Sequence, residues 1–158
     1  MVQASTVLLD QLLANANDRS WYVTFEESVE NLSEEDAFWK PDDQSHSIAE
    51  IVQHLIYWNE VWQQRYEQRN FNAVTSLDNN SKSFSVKRDD SFKLLKGRLL
   101  EVLLRWQDII TEDSLHMGVT GFPVEAEWWG LISNAATHNA YHIGQIAYLR
   151  KMKKDYYI

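Results

Sequence analysis

Ser47-Ile48-Ala49-Glu50-Ile51-Val52-Gln53-His54-Leu55 is the stretch on which the fold turns. Ser47 with Glu50 three residues later forms a capping box. The serine oxygen accepts one free backbone N–H of the first turn, and the glutamate reaches back to another. Beyond it Ile48, Ile51, Val52, Leu55, Trp58 and Trp62 recur at helical spacing, which predicts an amphipathic helix running to about Asn70.

The same periodicity extends in both directions. Upstream, Val7, Leu8, Leu12, Leu13, Trp21, Tyr22, Phe25 and Val29 predict a first helix from about Ser5 to Asn31. In the segment after it, Ser33 with Asp36 can cap one short turn, and Pro41 forbids a continuous helix. Downstream, the polar stretch from Phe71 to Arg88, centred on Asn79-Asn80-Ser81-Lys82-Ser83, reads as a long crossover. A third helix is expected from Asp90 to Thr111, with Phe92, Leu95, Leu99, Val102, Leu103, Trp106 and Ile110 inward. Asp113 to Phe122 carries Gly118 and Gly121 and reads as a loop, and Pro123 suits the first position of a fourth helix. That helix holds Trp128, Leu131, Ile132, Ala135, Ile143, Ile146 and Leu149. The expected fold is all-α: a four-helix bundle with a long crossover between helices two and three, one domain spanning residues 1–158.

Composition agrees and removes several functions. Five glycines and two prolines in 158 residues favour long helices, and no run of strict alternation supports a strand-rich fold. With 44% apolar residues and seven tryptophans the chain can bury a sizeable core, which argues against disorder. The absence of cysteine excludes disulfides, thiolate metal ligands and a cysteine nucleophile, and is compatible with a cytoplasmic location. A net charge of −8 gives no electrostatic footprint for nucleic acid. The local exception, Arg150-Lys151-Met152-Lys153-Lys154, reads as a complement to a helix dipole. No apolar run is long enough to span a membrane, and the first twenty residues lack the basic region of a signal peptide.

Chemistry concentrates on three of the five histidines; His46 and His116 fall in expected loops and receive no role. His138 and His142, four residues apart on one helix, lie about 40° apart around its axis and can reach one point in space. Both flank the buried stripe. His54 borders the stripe of the second helix in the same way, so three imidazoles can converge at one end of the core if the two helices are neighbours. Three neutral imidazoles suit a divalent transition metal and leave a fourth position for water or substrate, without naming the metal. His138-Asn139-Ala140-Tyr141-His142 shares only its outer histidines with the zincin motif; Asn139 stands where the general base would be, which removes that class. Glu50, one turn before His54, can either orient its second nitrogen or serve only as a cap. Tyr141 and Gln145 lie beside the histidine face as possible substrate contacts. Among Trp58, Trp62, Trp106 and Trp128 most are expected in the core, with one or two at a pocket mouth. No Gly-rich phosphate loop and no Ser/His/Asp triad stands out.

At three segments the chain resembles the DinB-like superfamily, which includes the YfiT-like metal-dependent hydrolases. They are Leu32 to Pro41, Ser47 to Leu55, and His138-Asn139-Ala140-Tyr141-His142-Ile143-Gly144-Gln145-Ile146. The resemblance implies a four-helix bundle, often a homodimer, with a nickel or zinc site made by His54, His138 and His142. It also implies a low-molecular-weight thiol, such as bacillithiol or mycothiol, acting with a small electrophilic substrate. Asn139 and Ile143 depart from relatives that carry basic or bulky residues near the metal.

Two functions follow as expectations. One is a metal-dependent hydrolase or thiol S-transferase in which the three histidines hold the activating ion. The other is a non-catalytic binding or interaction module, with a structural metal or none.

Overall fold

The computed structural model describes residues 2–153. The described chain is all-α, with four long helices. They are α1 (Ala4–Ala16), α4 (Ile48–Glu67), α5 (Phe92–Ile109) and α7 (Trp128–Met152). Three short ones join them: α2 (Phe25–Ser28), α3 (Glu34–Phe38) and α6 (Glu112–Leu115). α4 packs on both α5 and α7, and α1 packs on the same two from the other side, so the four enclose a common core.

Several helices begin where a side chain supplies an acceptor for free N–H groups. Ser47 and Glu50 form the expected capping box of α4, and the Ser33 hydroxyl accepts from the Asp36 amide at the start of α3. Two long helices are also capped from a distance. The Glu34 carboxylate accepts from the amides of Phe92 and Lys93 at the head of α5, and Glu112 does the same for Ala4 and Ser5 at the head of α1. A carboxylate there satisfies orphan donors and faces the positive end of the helix dipole.

The first helix is shorter than the periodicity predicts. It ends at Ala16, and a separate turn, α2, starts at Phe25. The break lies in Asn17-Asp18-Arg19-Ser20, of which Asn17, Asp18 and Ser20 are residue types that favour caps and turns over helix interiors. It is fixed by a second capping box, Thr24 with Glu27, because Thr24 as N-cap takes an extended conformation. Phe25 and Val29 are buried as expected, but Trp21 is 97% exposed, and Tyr22 is half-exposed with its hydroxyl donating to Asn15 Oδ1 at 3.3 Å.

The fourth long helix starts at Trp128, five residues after Pro123. Residues 117–119 and 126–128 pair across an antiparallel bridge, with Val119 N–H donating to Ala126 O and Trp128 N–H to Met117 O. That pairing holds the Pro123 region out of the helix. At its turn Gly121 has φ +79°, and a Cβ there would meet the Asn72 amide at 2.6 Å. Part of the expected loop from Asp113 is the short helix α6.

The crossover from Phe71 to Arg88 contains two 3-10 turns, Phe71–Ala73 and Asn80–Phe84, and the second packs on α4. In the basic tail, Arg150 is buried and donates to the carbonyls of Ser28 and Glu30, while Lys153 pairs with Asp36. Lys154 lies outside the described residues.

The apolar stripes of α4 and α5 face inward as the sequence predicts, and Leu12, Leu55, Leu99 and Ile132 are fully buried. Cutting a leucine of this kind to alanine costs about 2–5 kcal/mol. One polar feature crosses the core. Asn59 of α4 and Asn139 of α7 exchange amide hydrogen bonds at 2.8 and 3.1 Å, and the Trp106 indole N–H of α5 donates to Asn59 Oδ1 at 2.9 Å. Asn59 also donates to Leu55 O. Three helices are thereby tied at one level, and a shift along any of them leaves a buried amide unpaired.

Candidate metal centre

His54 sits on the inner face of α4, and His138 and His142 sit one turn apart on α7. Packing of α4 on α7 brings the rings together. Their centroids are 5.1 Å (His54–His138), 4.6 Å (His54–His142) and 4.6 Å (His138–His142) apart. One ligating nitrogen from each lies within 4.8 Å of the others, so the three form a group that can hold a metal ion. His138 and His142 fall near the middle of α7, which places the cluster part-way along the core and not at its end.

The surroundings fix which nitrogen each ring presents. The Ser83 hydroxyl donates to Asn80 O at 2.6 Å, so it accepts from His54 Nδ1–H, also at 2.6 Å. His54 Nε2 is left with its lone pair toward the cluster. His142 Nδ1–H donates to Gln145 Oε1 at 2.7 Å, which frees its Nε2 in the same way. His138 Nε2 lies 3.1 Å from His54 Nε2. With the His54 nitrogen an acceptor, the His138 ring carries the proton between them in the metal-free protein. Partners on the far nitrogens that set tautomer and ring direction are what metal-binding imidazoles need.

Burial holds the rings neutral. It pushes the His54 pKa down to about 3, with the neighbouring His142 and His138 adding to the shift. Burial and His142 push His138 down to about 4. His142 is also lowered by burial, against an opposing pull from Gln145. At neutral pH the rings are therefore neutral: His54 and His142 offer lone pairs directly, and His138 has only to carry its proton on the other ring nitrogen to do the same.

The rings form the floor of an open cavity of about 420 Å³, walled by Trp58, Trp62, Phe84, Ala135, Asn80 and Asn134. Phe84 stacks on His54 at 4.0 Å and on its other side against His46 at 3.8 Å. His46, given no role from the sequence, thus braces a wall. Trp58 and Trp62 are the tryptophans at the cavity, while Trp106 and Trp128 are fully buried in the core.

Other expected neighbours fall elsewhere. Glu50 caps α4 and pairs with Lys40 at 2.6 Å, and the second nitrogen of His54 goes to Ser83 instead. Gln145 holds His142, and Tyr141 is 65% exposed with its ring edge-on to His142 at 5.0 Å. Both line a separate groove of about 550 Å³ outside the cavity. Ser83, Phe84, Asn80 and Asn134 are the site residues that sequence reasoning missed. The visible signal was Phe84, an aromatic residue directly after the polar run Asp78–Ser83 of the crossover.

Three neutral imidazoles at the floor of a cavity between two helices define this as an all-α protein with a candidate divalent-metal centre. The chain belongs to the DinB superfamily, whose family model matches residues 16–146, a span that includes all three histidines. A crystal structure of a DinB-like protein, YjoA of Bacillus subtilis, superposes with a TM-score of 0.66 over 93% of this chain and 92% of that one. Identity is 18%, so that likeness concerns the fold. No curated protein matches the chain. Among the described residues no helix is long and apolar enough to cross a membrane.

Proposed function

We propose that this chain is a divalent-metal-dependent enzyme, a hydrolase or thiol S-transferase, with His54, His138 and His142 holding zinc or nickel. The observation that carries the reading is the convergence of three nitrogens within 4.8 Å, at the floor of a cavity open to small molecules. When bound, such an ion supplies Lewis acidity that makes a water or a low-molecular-weight thiol nucleophilic at neutral pH and polarises an electrophilic substrate. The chain's own part is to orient. Ser83 and Gln145 aim two imidazoles, Phe84 packs on the face of His54, and Trp58 and Trp62 shape the approach.

The reading extends to architecture and setting. The ring formed by α1, α5, α4 and α7 supports a four-helix bundle whose crossover, between α4 and α5, doubles as a wall of the site. A homodimer is part of it. Between Glu127 and Arg150 there is no Asp, Glu, Lys or Arg, and Tyr141 and Tyr148 stand exposed on that stretch of α7. A cytoplasmic location, where low-molecular-weight thiols are reduced, completes it.

Metal analysis of protein purified without a polyhistidine tag tests the centre. About one equivalent of zinc or nickel per chain is expected, and His54→Ala should lose it. Absence of metal from the wild type, with the variant behaving identically, ends the proposal. The second reading, a binding module, draws on the aromatic walls of the cavity. It predicts saturable binding of thiols or electrophiles with no metal-dependent turnover. A purely structural ion would show as a chelator-induced fall in melting temperature without any change in activity.

A further inference from the structure

We infer that the cavity over the three imidazoles selects a small aromatic molecule without negative charge, held between ring faces and oriented by neutral amides at the rim. This rests on the proposed function only in taking the cavity as the substrate's place.

The walls are built in advance. The Trp58 indole is fixed by its N–H donating to Asn80 Oδ1 at 3.0 Å and by an edge contact with Tyr57 at 5.1 Å. Phe84 is clamped between two imidazoles, 3.8 and 4.0 Å away. Trp62 is pinned by the Arg65 guanidinium at 5.0 Å from its ring and by Phe71 at 5.9 Å. Rigid ring faces of this kind lose little entropy when another ring slides between them. A cavity of about 420 Å³ suits a ligand of one or two rings.

The polar lining is neutral. Asn80 spends its carbonyl oxygen on Trp58, which leaves its NH2 group for a ligand. Asn134, exposed at the rim, keeps both ends of its side-chain amide for solvent or ligand; its backbone carbonyl, not its side chain, accepts from Thr137. A carbonyl, amide or hydroxyl on the ligand finds partners here. A carboxylate entering this cavity gives up hydration and meets ring faces and amides, inside a chain of net charge −8. A cation instead finds neutral imidazoles at the floor and aromatic ring faces at the walls. A negative charge is therefore disfavoured by the side chains that form the walls.

Benzamide, benzoate and benzamidinium are flat, nearly equal in size and differ in charge, so they isolate the effect. The full chain is titrated with each, as purified and again after chelator treatment. Binding is read from the indole N–H resonance of Trp58, with circular dichroism confirming the fold. Benzamide should saturate at a concentration at least tenfold below benzoate in the chelator-treated protein, with benzamidinium as the probe of opposite charge. Asn134→Lys should move the preference toward benzoate, and Asn134→Asp toward benzamidinium. This residue is exposed, so neither change threatens folding. Equal or tighter binding of benzoate than of benzamide by the chelator-treated wild type overturns the inference. So does a Trp58 signal that none of the three probes moves. Failure of the metal reading shows separately, as absence of metal from the purified chain, and leaves the chelator-treated titrations to decide this point.

Discussion

His54 Nε2 and His138 Nε2 stand 3.1 Å apart, on residues separated by 84 positions in the chain. Two nitrogens each about 2.0–2.1 Å from one zinc ion at a tetrahedral angle would be about 3.3 Å apart. The pair is thus already near the spacing of shared ligands, and what holds it there is packing of α4 on α7 together with the hydrogen bond from His54 to Ser83.

Ser83 is accordingly expected to matter out of proportion to its size. Ser83→Ala removes the only acceptor shown for His54 Nδ1–H, and a buried donor left unpaired costs about 1–3 kcal/mol. Loss of such a support typically weakens metal binding about 10–100-fold. Competition with a chelating dye measures this directly. Ser83→Thr, which keeps the hydroxyl, should retain more of the affinity; an alanine variant that binds zinc as tightly as wild type would show the serine to be idle.

Most of α4, α5 and α7 was legible in the sequence, since a long apolar stripe with scarce glycine and proline leaves little alternative to a helix. The imidazole convergence was legible for the same reason, because His54, His138 and His142 border those stripes. The failures share a cause: the deciding contact lies outside the window being read. Phe25 and Val29 continue the spacing of Leu8 and Leu12, so periodicity alone runs the first helix through the Thr24–Glu27 capping box that restarts it. Pro123 has a backbone angle that serves a first helical turn or an extended strand equally well. Pairing of Val119 with Ala126 settles it. Ser83 and Phe84 look like loop residues until the crossover is laid on α4.

The metal-free protein should lose stability in acid through its imidazoles. Burial depresses the folded-state pKa of His54 to about 3 and of His138 to about 4, below the unfolded value near 6.5. Above pH 6.5 neither state binds the proton and the full stability is present. As pH falls below 6.5 the unfolded chain takes up protons that the folded one refuses, so stability declines until the folded rings titrate in turn. Urea midpoints measured between pH 7.5 and 4.5 should fall, and His54→Asn together with His138→Asn should flatten the curve. A wild-type midpoint independent of pH over that interval, after correction for the carboxylates by the variant, contradicts the assignment of neutral buried rings.

The Asn59–Asn139 pair should behave as one unit. Asn59→Leu strands the Asn139 amide and the Trp106 indole N–H, and Asn139→Leu strands half of Asn59. Each single change is expected to cost about 2–4 kcal/mol, being one or two buried polar groups left unpaired. The double change should cost less than their sum by about 1–3 kcal/mol, because neither amide then lacks its mate. Denaturant unfolding of the four proteins closes the cycle. Strict additivity would mean that the reciprocal bonds contribute nothing specific to the register of α4 against α7.

The uncharged face of α7 leads to a prediction about assembly. Thr137, Tyr141, Gly144, Tyr148 and Met152 are all exposed and follow one another at helical spacing. The stripe is close to symmetric about residues 144 and 145. In an antiparallel pairing with a second copy, Tyr141 would meet the other chain's Tyr148, and Gly144 would let the two helices approach at the axis. A two-fold contact requires such self-complementarity. Tyr148→Glu sets a carboxylate against the other chain's Tyr141 on each side of the axis, where it loses hydration without gaining a partner, and should shift the chain from dimer to monomer. The residue is 66% exposed, so the fold should survive. Sedimentation equilibrium on wild type and variant reads the outcome, with circular dichroism as the control for folding. A wild-type chain that remains monomeric at high micromolar concentration removes the homodimer, while a variant that stays dimeric moves the contact to another face.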